Sequence, residues 1–202
     1  STLQVPPDAR HEYEAGRKAA ERERWEEARK HFEKALSKYP DFPRALRGLA
    51  LLDLREQQPE QALEQLRRAL EIDPAYAEGH TALSRVLGFL GKPKEALEAA
   101  QRATELRPDW WQGYYELGVA ALSLDLPERA FEASQRILDL AGSQAPEPCL
   151  LRAGVFLRKG QLAEARAELL TFLDLAPSHS EALLARRTLE EIDRATPRNP
   201  PK

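Results

Sequence analysis

Apolar positions in this 202-residue chain return at an interval of 34 residues. Ala28, Ala62, Ala96 and Ala130 stand 34 apart, and Ala35, Ala69 and Ala103 keep the same spacing seven residues further on. Phe42, Tyr76 and Trp110 form an aromatic series on that interval, and Gly16, Ala50, Ser84 and Gly118 form a series of small residues. Acidic side chains between them are balanced by Lys and Arg at i+3 or i+4, the solvated face of an amphipathic helix. No alternating β-branched run argues for a strand. Two proline series punctuate the pattern. Pro59, Pro93 and Pro127 each open an amphipathic run, where the missing N–H costs nothing and the fixed φ suits a helix start. Pro40, Pro74 and Pro108 follow the last apolar residue of a helix and end it. Each interval therefore predicts a helix, a tight turn, a second helix and a proline stop. Such a unit cannot bury its apolar face alone and must stack on copies of itself.

These residues resemble the tetratricopeptide repeat (TPR), with its small residue in the first helix, alanine and an aromatic or leucine in the second, and closing proline. Phe32 and Leu66 fill the large site, while Ala100 and Ser134 depart from it and predict thinner packing there. A fifth unit follows with Ala153, Ala165, Leu169, Phe172 and Pro177. The resemblance implies an all-α, right-handed helical solenoid of about five units, at 9–42, 43–76, 77–110, 111–145 and 146–178. Between Ala130 and Ala165 the interval lengthens to 35, and Gly142 replaces the closing proline in a turn-rich stretch. Residues 1–8 are expected to form an extended linker, and 179–194 a capping helix with Ala182, Leu183, Ala185, Leu189 and Ile192 on a common face. The polar, proline-rich segment 195–202 is expected to be a disordered tail. The absence of methionine marks the chain as an expected fragment or processed product, consistent with the repeat array of a larger bacterial protein. Residues 1–8 also resemble the junction between a β-sandwich and a TPR array in certain exported bacterial proteins.

Composition narrows the function. Charged residues make up 31% and aromatics 7%, as thin two-layer helical stacks require. A net charge of −3 offers no field to draw the chain to nucleic acid or an anionic membrane. No apolar stretch approaches the ~20 residues that span a bilayer, so no membrane insertion is expected. Cys149 is the sole cysteine and indicates neither a cytoplasmic nor an exported compartment. His11, His31, His80 and His179 share no metal-ligand spacing, and there is no phosphate loop or Gly-x-Ser-x-Gly elbow. No enzymatic activity, metal or cofactor is expected.

The TPR resemblance implies that the first helix of each unit lines a concave groove with its second, fifth and ninth positions. Counted from Ala9, Pro43, Ala77 and Trp111, the second positions are Arg10, Arg44, Glu78 and Gln112. The fifth are Tyr13, Arg47, Thr81 and Tyr115, and the ninth Arg17, Leu51, Arg85 and Val119. Five of the nine positions in the first three units are arginine, which can fork onto carboxylates with paired hydrogen bonds. The expected peptide-binding set is therefore Arg10, Tyr13, Arg17, Arg44, Arg47 and Arg85 for an acidic segment or C-terminal carboxylate. Trp111, Gln112, Tyr115 and Val119 continue it as an apolar and aromatic half, with Trp111 at the rim. Against this stands a solvated face balanced by Glu14 and Glu21. Trp25 and Trp110 are expected to be core. The carboxylate clamp that grips chaperone tails is not matched, since its positions hold Tyr13, Arg17, Gly48, Glu78 and Ala82. The expected function is a protein- or peptide-binding scaffold. The alternatives are a structural or self-associating spacer, including a homodimer, or the accessory arm of a larger enzyme or envelope protein.

Overall fold

The computed structural model describes residues 5–195; the start of the expected linker and residues 196–202 of the expected tail lie outside them. The described residues form eleven α-helices and no strand. They are α1 (Pro7–Glu21), α2 (Trp25–Lys38), α3 (Pro43–Arg55), α4 (Pro59–Ile72), α5 (Ala77–Phe89) and α6 (Pro93–Leu106), followed by α7 (Trp111–Ser123), α8 (Pro127–Ala141), α9 (Glu147–Arg158), α10 (Leu162–Leu175) and α11 (Ala182–Ala195). The chain divides into two compact units at Pro108/Asp109, a boundary between hairpins. The first holds the hairpins α1/α2, α3/α4 and α5/α6. The second holds α7/α8, α9/α10 and the single helix α11. Within a unit each hairpin stacks on the next, and the first helices also meet: α1 with α3, α3 with α5, and α7 with α9.

The prolines act where the pattern placed them. Pro43, Pro59, Pro93 and Pro127 each take the first helical position. Tyr39, Asp73 and Arg107 close their helices in extended or near-extended geometry immediately before Pro40, Pro74 and Pro108. Pro7 likewise starts α1, so that helix takes in the last two residues of the expected linker.

Each hairpin turns through one left-handed residue: Glu23, Gln57, Gly91, Asp125 and Gly160, with φ of 58°, 60°, 68°, 58° and 70°. The next N–H then bonds a carbonyl five residues back, as from Arg24 to Ala19, Gln58 to Asp53 and Lys92 to Leu87, at 2.8–2.9 Å. Satisfying those helix-end carbonyls offsets the strain that the three non-glycine residues carry.

The small residues make room for large ones. The Phe32 ring lies between Gly16 of α1 and Gly48 of α3, each so near that a Cβ built there would fall 2.8 Å from ring carbons. In the second unit Gly118 faces Leu151 and Gly154 faces Leu122, with built Cβ positions 2.6 Å from a leucine methyl in both cases. Ala100 and Ser134, which break the large-residue pattern, are fully buried, and Ser134 Oγ donates to the Phe131 carbonyl at 2.6 Å.

Helix α11 buries Ala182, Ala185, Leu189 and Ile192 in the core of the second unit. Leu183 does not join them: it is 60% exposed, as is Leu184. The buried face is one residue narrower than expected. Neighbouring residues on a helix point about 100° apart, so Leu183 cannot share the face of Ala182.

Candidate functional site

In the first unit, the second-position arginines of α1 and α3 are exposed. Neither the Arg10 nor the Arg44 side chain makes a hydrogen bond or ion pair with any described residue. Glu78, in the same position on α5, is held by Arg107 Nη1 at 2.6 Å.

The fifth positions have other work. The Tyr13 ring is buried, with its centroid 5.1 Å from Phe42 and 5.9 Å from Phe32. One repeat on, Arg47 Nε donates to Tyr76 Oη at 2.8 Å. Phe42 and Tyr76 are the N-caps of α3 and α5, so both contacts fasten one hairpin to the start of the next. Tyr13 thus belongs to the core and is not offered to a ligand. Thr81 is buried too, its hydroxyl donating to the Ala77 carbonyl at 3.1 Å. Burial pushes the Tyr76 hydroxyl up to about 12 against the pull of Arg47. It therefore stays a neutral phenol near neutral pH, and the hydrogen bond does not neutralise the Arg47 guanidinium.

Arg17, in a ninth position, donates from Nε to Glu14 at 3.0 Å and from Nη1 to Glu21. Glu14 first, then Glu21, holds its guanidinium above the ordinary value. The balancing of charge anticipated from Glu14 and Glu21 is realised at this arginine. Arg85 is exposed on α5.

Further polar contacts tie helices together, between hairpins and within one. Arg29 Nη2 reaches buried Asp53 at 2.8 Å and Glu56 at 3.1 Å, joining α2 to α3. Beside this pair the Arg55 guanidinium stacks 4.3 Å from the Trp25 ring centroid, so Trp25 seals the same junction. Between α1 and α2, His31 Nδ1 lies 2.7 Å from Glu12, with Lys38 Nζ 3.5 Å from the same carboxylate. His31 first of all lowers the Glu12 carboxyl below its ordinary value.

In the second unit the expected residues all lie on α7. Trp111 and Tyr115 are both half-buried. Gln112 is half-buried, and its Oε1 is buried without a donor. Val119 alone among them is exposed, at 39%. Leu157 on α9, not anticipated from the sequence, is exposed to a similar degree. Phe89 on α5 of the first unit was also missed, although at 70% it is the most exposed large apolar side chain described.

No group of three or more His, Cys, Asp or Glu among the described residues could hold a metal ion. Cys149 is buried, and burial pushes its thiol up, away from a reactive thiolate. No described helix is long and apolar enough to cross a membrane.

Two family models, both described as Tetratricopeptide repeat, match residues 19–86 and 81–145. Among solved structures, TTC0263, a thermophilic TPR protein in Thermus thermophilus, is 24% identical with a TM-score of 0.75, the match covering 91% of this chain and 98% of that one. PilF of Pseudomonas aeruginosa is 22% identical over 95% of this chain and 93% of its own, with a TM-score of 0.73. YrrB, described as a TPR protein with an unusual peptide-binding site, is 20% identical over 89% and 92%, with a TM-score of 0.61. The search of curated proteins finds no match. At these identities the likeness to solved structures is one of fold.

Proposed function

We propose, from the premise that this chain belongs to the tetratricopeptide repeat family, that it is a non-catalytic interaction module whose first unit receives an acidic segment of a partner protein. The fold is that of a protein–protein interaction scaffold, and YrrB, which shares it, is described as having a peptide-binding site. The observation that carries the acidic reading is the pair Arg10 and Arg44. They occupy one position on successive first helices, both exposed, and neither side chain is paired with a carboxylate of the described residues. A third cation, Arg47, donates to the neutral Tyr76 hydroxyl rather than to a carboxylate. An incoming carboxylate gains charge-assisted hydrogen bonds from these side chains without breaking an existing ion pair. Arg17 would first have to give up Glu14 and Glu21, so it contributes less. The second unit, taken by itself, offers Val119 on α7 as an exposed apolar contact one helical turn from half-buried Tyr115.

The test is fluorescence anisotropy with synthetic Glu-rich peptides and an Arg10→Glu/Arg44→Glu variant. Each reversed charge should weaken binding about tenfold, and the affinity of the wild type should fall as salt rises. Equal binding by variant and wild type would refute the reading.

Self-association is a second reading, favoured by Leu183 and Leu184 exposed side by side on α11. It expects a dimeric mass by light scattering that reverts to monomer in Leu183→Glu/Leu184→Glu.

A further inference from the structure

We infer that Phe89 is an apolar subsite on the same face of the first unit, so that the favoured acidic segment also carries an aromatic or branched aliphatic side chain about six residues from its carboxylates. This rests on the acidic-segment reading and adds a second anchor to it. Phe89 is the last residue of α5 and is 70% exposed. It follows Arg85 by one helical turn and Glu78 by about three, so these residues share one stripe of α5. The matching stripe of α3, which packs beside α5, carries Arg44 and Leu51. The phenyl ring is therefore on the face of the arginines.

There is room to use it. A Cβ built on neighbouring Gly88 meets nothing within 4 Å, so the surface at the last turn of α5 is open beside the exposed ring. The spacing follows from the hydrogen bond that ties Arg47 to Tyr76, the N-cap of α5. The cationic end is thus fixed at one end of α5 and Phe89 at the other. Thirteen residues of helix at 1.5 Å each separate them by about 20 Å. An extended chain covers that in about six residues at 3.3 Å each. Charge complementarity with the arginines selects the occupant, and an exposed aromatic ring is the kind of anchor on which binding energy concentrates.

Fluorescein-labelled peptides of three glutamates, a Gly-Ser spacer of three, six or nine residues and a terminal phenylalanine, each with an alanine counterpart, test this against the wild-type chain, Phe89→Ala and Arg44→Glu. The six-residue phenylalanine peptide should bind the wild type about tenfold more tightly than its alanine counterpart. Phe89→Ala should lose that preference yet bind the alanine peptide as the wild type does. Equal, Arg44-dependent binding of both peptides would overturn the Phe89 subsite and leave the acidic reading standing. No Arg44-dependent binding of any peptide would overturn both. A dimeric wild type that becomes monomeric in Phe89→Ala would assign the ring to self-association and overturn the subsite.

Discussion

Replacing Gly48 with alanine would place a methyl carbon 2.8 Å from Cε2 and Cζ of Phe32. Carbon atoms in ordinary contact sit about 3.5–4.0 Å apart, so the overlap is about 0.7 Å or more. The ring has no easy retreat, because its opposite edge lies equally close to Gly16 and Phe32 is only 4% exposed. Inserting a methylene into a tight core costs about 1–3 kcal/mol. A rigid ring with backbone on both edges belongs near the top of that range. Alanine's better helix propensity returns about 1 kcal/mol. The net expectation is a loss of about 2 kcal/mol, read as a lower urea midpoint by far-ultraviolet circular dichroism. Gly88→Ala is the control: its Cβ meets nothing, so propensity alone should raise stability by about 1 kcal/mol. In a Phe32→Leu background the Gly48→Ala penalty should largely vanish, a coupling of at least ~1 kcal/mol. If Gly48→Ala stabilises the protein as Gly88→Ala does, the close approach of α1, α2 and α3 around Phe32 is wrong.

Arg29→Ala should cost about 3 kcal/mol, because it strands Asp53, whose side chain is 3% exposed, whereas Glu56→Ala at the exposed end of the same cluster should cost under ~1 kcal/mol; urea midpoints distinguish them. Tyr76 predicts an alkaline effect. With its hydroxyl raised from 10.0 to about 12, the unfolded chain ionises first, so the tyrosine's share of stability is intact below pH 10 and is lost as pH climbs towards about 12. That slope should be missing from Tyr76→Phe, measured by unfolding at stepped pH. At the hairpin turns, Gln57→Gly should stabilise by about 1 kcal/mol, since glycine adopts the left-handed conformation without strain, while Gly91→Ala should do the opposite; thermal midpoints moving the other way would refute the turn geometry.

The proline positions were readable because their effect is local: a fixed φ and a missing N–H act on the helix end that contains them. The pairing of small with large residues was readable through its repetition, and Gly16 bears this out, since a Cβ built there would fall 2.8 Å from the Phe32 ring. The left-handed turn residue also recurs, but as Glu, Gln, Gly, Asp and Gly, so no residue type marked it. Only Gly91 and Gly160, at equivalent places in their hairpins, could have betrayed it. Leu183 shows the limit of counting apolar residues without their angles. Its neighbours Ala182 and Ala185 are buried while it is 60% exposed.

The candidate site divides along the same line. Periodicity placed Arg10, Tyr13, Arg17, Arg44 and Arg47 on first helices, since helix register follows from spacing alone. Their availability was another matter, because it depends on what the next hairpin brings near. Phe42 took Tyr13 into the core, Tyr76 took a hydrogen bond from Arg47, and Glu14 and Glu21 claimed Arg17. Arg10 and Arg44 were left open, and so was Phe89, which no repeat position had marked. A 34-residue period states which helices must stack, because apolar faces need covering whatever the details. Which side chains remain free for a partner is a matter of contacts a few ångströms long between residues 29 positions apart, as Arg47 and Tyr76 are, and only the packed hairpins bring those together.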